Sequence, residues 1–169
     1  LAAMEGSRPL LVEVQALVSP SELVPPRRVV NGLDRNRLAL VLAVLGRHAG
    51  VGVGTADVFV NVVGGVRVDE PGVDLAVALA VAGAAKGVAF EGAGEGGSTA
   101  PLPLAAFGEV GLTGELRSVG HPERRVEEAA KFGLRTVIGP PGSGGVEART
   151  LREALKAAFG AGERRARAA

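Results

Sequence analysis

One apolar segment begins with residue types that could surround a reactive group. Pro71 and Gly72 precede a run of Val, Leu and Ala, and Asp74 is the single acid within that run. Pro71 at the start and Gly83 or Gly87 at the end predict a helix. Free backbone N–H groups at an uncapped helix start hold anions or oxyanions, and a nucleophile there would complete a catalytic site. Position 72 holds glycine, which has no side chain to react.

Asp74 therefore needs a structural explanation. It lies within the first turn of the predicted helix, where a carboxylate stabilises the positive end of the helix dipole. The sequence favours local capping of free N–H groups, with a salt bridge across a subunit boundary as the alternative. Glu109 and Glu115 lie in a short glycine-flanked segment, and both interface and surface roles stay open for them.

The sequence lacks the residues that several other common kinds of active or binding site require. The chain has no cysteine, so thiolate nucleophiles, disulfides and sulfur-ligated metals are excluded. His48 and His121 are far apart and lack a metalloprotease spacing. The sequence has no GxxxxGK[ST] phosphate loop, and the glycines of GVGVGT at 50–55 precede a predicted strand, which excludes a dinucleotide fingerprint.

Arginines are the main candidates for binding an anion. Four of them fall within eleven residues of PPRRVVNGLDRNRL, and two lie in the first turn of a predicted helix, where the dipole disfavours cations. Contacts of this kind would be to phosphate groups, with steep salt dependence. The alternative, which the arginines alone favour, is a solvated surface with some charges paired to Asp34 or Glu22. The candidates are Arg27, Arg28, Arg35 and Arg37. Arg67, Arg124 and Arg125 are weaker ones, since Glu123, Glu127 and Glu128 neutralise much of the charge of the last two.

The composition indicates one domain with a core of Val, Leu and Ala. The chain has 169 residues, a net charge of +1 and five Phe as its only aromatics, within the usual range of about 100 to 200 residues per domain. No signal peptide is recognisable, and the longest apolar run, 75–85, is shorter than the roughly 20 residues of a membrane span. We expect a cytoplasmic protein without membrane contact. The first residue is Leu, which suggests a piece of a longer protein.

Hydrophobic periodicity and turn residues predict an α+β fold with mixed sheets and packed helices. Asp34 is predicted to cap a helix that ends near 47–50. Glycines at 111 and 114 predict a hairpin. The further predictions are strands at 10–18, 57–63 and 135–139, an extended edge segment at 22–30, helices at 122–132 and 146–159, and a loop at 90–103.

Two segments together resemble the proteolytic domain of Lon-type proteases. They are DEPGVDLAVALA and, about 35 residues later, FGEVGLTGELRSVGHPERRVEEAAKFG. The family's nucleophilic serine would fall at Gly72, the following glycine at Asp74, and its lysine base at Glu123. The resemblance implies a Lon-like fold of the ribosomal protein S5 domain 2 type. It also implies no protease activity, because a site without hydroxyl and amine cannot form an acyl-enzyme.

The more specific resemblance is to the C-terminal Lon-like domain of the RadA/Sms family of bacterial recombination and repair proteins. RPLLVEVQALV, PRRVVNGLDRNRLALVLAVL and DVFVNVVGGVRVDEPGVDLAVALA match its pattern without gaps, although alanine is expected where Gly72 stands. The resemblance extends from Arg8 to about Pro140. It divides the chain into a linker at 1–9 from a missing ATPase region, the domain at 10–160, and a flexible basic tail at 161–169.

The resemblance implies a non-enzymatic role for this piece. The parent would be a hexameric, DNA-dependent ATPase that drives branch migration, with ATP, Mg and Zn bound only in its missing N-terminal regions and a RecA-type recombinase as a possible partner. This chain, without cofactor or metal, would assemble the ring and bind single- and double-stranded DNA. The alternative is a degenerate peptidase fold that binds a protein partner.

Overall fold

The computed structural model describes residues 1–88 and 104–166, with mixed α/β architecture. The loop predicted at 90–103 and the last three residues of the predicted tail lie outside the described residues. The strands are β1 Ala2–Glu5, β2 Arg8–Leu11, β3 Val14–Pro20, β4 Arg28–Asn31, β5 Ala56–Val62, β6 Leu104–Ala106, β7 Glu109–Val110, β8 Leu116–Arg117, β9 Thr136–Gly139 and β10 Val146–Glu147. The helices are α1 Arg35–Ala49, α2 Val73–Lys86, α3 Pro122–Lys131 and α4 Leu151–Ala166.

The largest sheet by paired residues has the order β3-β5-β4, with β3 antiparallel and β4 parallel to β5. Val58, Val60 and Val62 of β5 are buried, whereas Phe59 and Asn61 between them are half-buried. This alternation arises because successive side chains of a strand point to opposite faces. β4 lies at an edge of the described sheet, as the two prolines before it predict.

Helix α2 is central to the core. It packs against β3, α1 and α4, and its residues from Val73 to Leu79 are all buried. The apolar character on every side predicts this position, because a helix without a polar face has no side to turn to water. Gly87 ends the helix in a left-handed conformation, with φ 65°.

The start of α4 differs from the prediction. Residues 146–147 form β10, parallel to β9, and the helix begins only at Leu151. Thr150 Oγ1 accepts the N–H of Glu153, and the Glu153 carboxylate accepts the N–H of Arg149. This Thr-x-x-Glu arrangement resembles a capping box, except that Glu153 accepts the N–H of Arg149 and not that of Thr150, and it fixes the helix start at Leu151.

Both ends of the chain contain secondary structure that the sequence does not predict. Residues 1–9 were expected to be a linker, but β1 and β2 form an antiparallel hairpin that packs against α3, with Ala2 and Ala3 buried. The predicted flexible tail from 161 is helical as far as Ala166. The first residues form a hairpin because their apolar side chains are buried against α3. The tail residues up to Ala166 are helical because they continue α4.

Several local predictions are confirmed. The Asp34 side chain accepts the Arg37 N–H at the start of α1, and Gly50 ends that helix. β7 and β8 form the expected hairpin. Among the described residues, no helix is long and apolar enough to cross a membrane.

Candidate functional site

The start of α2 is closed rather than open to an anion. Gly72 is buried. The Val73, Asp74 and Leu75 N–H groups donate to the carbonyls of Glu70, Pro71 and Gly108 at 3.4, 3.2 and 3.1 Å. The prediction of free N–H groups at this position is therefore wrong. The segment before β7 supplies an acceptor that local sequence does not reveal.

A buried ion pair lies beside this helix start. Arg125 of α3 is 1% exposed and donates from Nη1 and Nη2 to the Glu70 carboxylate at 2.8 and 2.5 Å. It also donates to the carbonyls of Ala2 and Gly120, while Glu70 accepts the Met4 N–H. The arrangement joins the N-terminal hairpin, α2 and α3. Arg125 is thus unavailable for the DNA contact that the sequence predicted, because burial and four protein acceptors occupy its guanidinium.

The ion pair borders Gly72, where the Lon resemblance predicts the nucleophile position. A Cβ atom built on Gly72 would lie 3.1 Å from Arg125 Nη1 and 3.2 Å from a Glu70 oxygen. Glu123, where the same resemblance predicts the position of the lysine base, is exposed in the first turn of α3. Helix α3 therefore brings Arg125 to Gly72. Glu70 was missed by sequence reasoning, although its place directly before Pro71 was a possible signal.

Asp74 joins three elements. Both carboxylate oxygens accept from Arg37 Nη1 of α1 at 2.9 Å, and one accepts the Val110 N–H of β7 at 3.1 Å. Burial raises the pKa of Asp74 above its ordinary value, although the bonds from Arg37 and Val110 act in the opposite direction. The predicted capping of its own helix is wrong, and the partner is an arginine of the same chain.

Arg27 is held by a buried carboxylate. It donates its backbone N–H to Asp57 Oδ1 at 2.7 Å, and its Nε and Nη2 donate to Oδ2 at 2.8 and 2.6 Å. Its guanidinium carbon lies 5.5 Å from the centre of the Phe59 ring. Hydrogen bonds from Ser21 and then Arg27 lower the pKa of Asp57 to about 2. The pair anchors the start of β4 to β5.

The other predicted arginines differ in how they are engaged. Arg28 donates only to backbone carbonyls, including those of Ala56 and Val53, and Arg124 donates to the carbonyl of Ser7. Arg67 pairs with the exposed Asp69. Arg35 is exposed and has no hydrogen-bond or ion-pair partner among the described residues. The structure therefore disperses the candidates around different partners.

The hairpin acids have local partners. Glu115 accepts from the Thr113 hydroxyl and from Arg117, and these bonds, with the Thr113 contribution largest, lower the pKa of Glu115 to about 2. Glu109 lies 3.7 Å from Arg117. No group of three or more metal-ligating side chains occurs in the part of the chain that the structure describes.

The chain is similar to curated proteins named DNA repair protein RadA. The relative from Brucella abortus is 48% identical over 143 residues, which are 85% of this chain and 28% of the relative. The relative from Haemophilus influenzae is 51% identical over 141 residues, 82% of this chain and 28% of the relative. The relative from Escherichia coli is 49% identical over 142 residues, which are 83% of this chain and 28% of the relative. No protein-family model matches the chain.

The chain thus spans about 28% of the length of these relatives. The matches cover most of its own residues at an identity far above chance similarity. They confirm the resemblance to RadA proteins that the sequence predicts: over most of its length, the chain is homologous to a segment of proteins named DNA repair protein RadA.

Proposed function

We propose that this chain is a DNA-binding and ring-assembling domain of a RadA-type DNA repair protein, and that it has no protease activity. The observation that carries the proposal is the 48 to 51% identity to proteins named DNA repair protein RadA over most of the chain. The Lon-like fold, the position of the domain at the C-terminal end of the parent and its cytoplasmic location belong to the same proposal.

The environment of Gly72 supports a site without protease chemistry. Position 72 lacks a hydroxyl, and Glu123 replaces the amine that the Lon resemblance requires. The helix N–H groups that would stabilise an oxyanion already donate to carbonyls of the chain. The Glu70–Arg125 pair fills the space beside the position where a nucleophile would stand.

The parent protein would carry the chemistry that this segment lacks. We propose an ATP-driven, hexameric branch-migration enzyme whose ATP, Mg and Zn sites lie outside this chain, with a RecA-type recombinase as a partner. This segment would contribute contacts between subunits and contacts to DNA.

For DNA contact, Arg35 is the best placed of the predicted arginines. Its guanidinium is exposed and breaks no protein bond on binding a phosphate. Arg28 and Arg124 donate only to uncharged carbonyls, so their positive charge stays uncompensated. Arg27, Arg37 and Arg67 would have to share their guanidinium with a carboxylate, which makes them weaker candidates.

An electrophoretic mobility shift assay with single- and double-stranded DNA across a salt series tests this function. We expect binding at low salt that weakens steeply as salt rises, because phosphate contacts release counterions. Arg35→Gln should weaken binding to both DNA forms. Absence of any shift at low salt would contradict a DNA-binding role for the chain.

A protein-binding role is favoured by one specific surface. Leu17, Phe59 and Val29 lie side by side across β3, β5 and β4 and form an apolar row, with Leu17 58% and Val29 48% exposed. Exposed apolar patches are typical of protein contacts. The row suits the neighbouring subunit of a ring, and in the alternative function it would bind a different protein.

A further inference from the structure

The basic residues of the described chain fall into distinct groups by partner. Carboxylates pair with six of them: Arg27, Arg37, Arg67, Arg117, Arg125 and Lys131. Backbone carbonyls alone hold Arg28, Arg124 and Arg152, and Lys86 lies over the Phe159 ring. Exposed cations without a partner among the described residues are Arg8, Arg35, Arg47, Arg135, Arg149 and Lys156.

Four of the cations without a carboxylate partner lie on the segments that come together where the end of α1 contacts the start of α4. Arg152, in the first turn of α4, donates from Nε and Nη2 to the carbonyl of His48 at 3.2 and 3.0 Å. Arg47 directly precedes His48 in the last turn of α1. Lys156 follows Arg152 by one helical turn, so both lie on the same face of α4.

The hairpin β7–β8 fixes the fourth member of the group. The N–H of Leu116 in β8 donates to the carbonyl of Arg149 at 2.8 Å, and the N–H of Leu151 donates to Gly114 at 2.8 Å. A Cβ atom on Gly114 would lie 2.9 Å from His48 Cβ, so the hairpin turn contacts the end of α1. The hairpin therefore contacts both helix ends, and it pairs with the backbone of Arg149 just before α4.

Nearby carboxylates offset only part of this positive charge. Glu153 keeps its negative charge while its side chain accepts the backbone N–H of Arg149, and Glu109 and Glu115 share Arg117. None of the four cations lies within ion-pair distance of a carboxylate among the described residues. Arg149 and Arg152 also stand at the positive end of the α4 dipole, where a cation is unfavourable for the fold. An external anion would offset that unfavourable placement.

We propose that Arg47, Arg149, Arg152 and Lys156 form a surface that binds the phosphate backbone of DNA. The inference rests on the proposed DNA-binding function and adds a second set of contacts to it. None of these four residues is in the group that the sequence singled out. Their chemistry suits phosphodiester oxygens, which arginine binds through paired N–H donors, and it predicts little preference for base sequence.

The test compares two double variants of the chain with the same loss of charge. Arg47→Gln with Arg149→Gln removes two cations from the proposed surface. The control, Arg8→Gln with Arg135→Gln, removes two exposed, unpartnered arginines that lie elsewhere. Arg8 is in the N-terminal hairpin, opposite Glu5, and so away from the proposed surface. Arg152 is left unchanged because its bond to His48 supports the fold. Circular dichroism checks that both variants fold as the unmodified chain does.

The measurement is fluorescence anisotropy of a labelled single-stranded oligonucleotide and of its duplex across a salt series. For the surface variant, the slope of log K against log salt should fall by about 1.8 for the duplex and about 1.4 for the single strand, since two phosphate contacts are lost. The control variant should keep a slope close to that of the unmodified chain.

Each other outcome overturns the inference in a recognisable way. Equal effects of the two variants would show that net charge, and not this surface, governs binding, while the DNA-binding function stands. Binding that neither variant alters would also overturn the surface and leave the function. No binding of the unmodified chain at low salt would overturn both. Displacement of DNA by poly-glutamate at equal charge concentration would indicate an acidic protein partner instead.

Discussion

At the level of single residues, the position where the Lon resemblance would place a nucleophile is packed and not vacant. Gly72 has φ −58°, so its backbone does not require glycine. The neighbouring side chains restrict the residue type instead, because a Cβ atom at position 72 would lie only 3.1 to 3.3 Å from side-chain atoms of Arg125 and Glu70. A larger side chain at this position would crowd a buried ion pair, so a small residue is favoured here.

Gly72→Ser should lower stability and create no protease. We expect a loss of about 1 to 3 kcal/mol, the typical cost of overpacking a well-packed site, and no casein hydrolysis, because α3 offers Arg125 and not a neutral amine. Urea denaturation and a casein assay measure the two effects.

Gly46→Ser is the matched control for this substitution. Gly46 is exposed in α1, and a Cβ atom there would meet nothing within 4 Å. Serine is a better helix former than glycine, so this variant should be as stable as the unmodified chain or slightly more stable. An unchanged urea midpoint in the Gly72→Ser variant would contradict the packing explanation.

At the scale of elements, Asp74 holds α1, α2 and β7 together. Its buried carboxylate depends on Arg37 for charge compensation and on the Val110 N–H for a further hydrogen bond. The Arg37 side chain is 31% exposed, whereas that of Asp74 is 5% exposed. Loss of the arginine would therefore leave a buried, unpaired charge, which is more costly than loss of an exposed ion pair.

Arg37→Ala should destabilise the chain by about 3 kcal/mol at neutral pH. Arg35→Ala, two residues earlier on the same helix, is the control and should change stability by no more than about 0.5 kcal/mol, because Arg35 is exposed and has no partner among the described residues. Urea denaturation of both variants measures the difference. Equal effects would contradict the role assigned to the Arg37–Asp74 pair.

The loss of stability in the Arg37→Ala variant should also depend on pH in a defined direction. The pKa of Asp74 is already raised by burial, and removal of Arg37 removes an influence that lowers it. A group whose folded pKa is raised destabilises the fold above that pKa and ceases to do so once it is protonated. The deficit should therefore shrink as the pH falls through the raised pKa of Asp74.

At the scale of the whole molecule, the proposed ring needs a surface that another copy can cover. The apolar row of Leu17, Phe59 and Val29 lies on the face of the large sheet opposite to the buried Val58, Val60 and Val62. Burial of such a row removes apolar area from water, which is the main driving force of association.

Leu17→Ser with Val29→Ser should abolish assembly of the chain. Multi-angle light scattering should give the mass of six copies for the unmodified chain and of one copy for the variant. Leu40→Ser with Leu112→Ser is the control, because both residues are more than half exposed but lie outside the row. A hexamer that survives loss of the row would contradict this interface, and a monomeric unmodified chain would contradict ring assembly by this segment.

Features that depend on neighbours within a turn or two were predictable from the order of the amino acids. Asp34 capping α1, Gly50 and Gly87 ending helices, and the hairpin around Gly111 and Gly114 follow from local backbone chemistry. The all-apolar face of α2 likewise predicted its central place, and the absence of a hydroxyl at position 72 is a property of the residue alone. The mixed architecture of helices and strands was predictable because hydrophobic periodicity and turn residues are also local features.

Which charged groups meet depends on long-range packing and not on local sequence. Arg37 and Asp74 are separated by 37 residues, Glu70 and Arg125 by 55, and Arg125 and the Ala2 carbonyl by 123. No local signal distinguishes a buried arginine from a solvated one, so Arg125 was predicted to face DNA, and 1–9 was predicted to be a linker. The packing of α3 against distant segments buries Arg125, and the contact between the end of α1 and the start of α4 places Arg152 on the His48 carbonyl, because such contacts follow position in space and not along the chain.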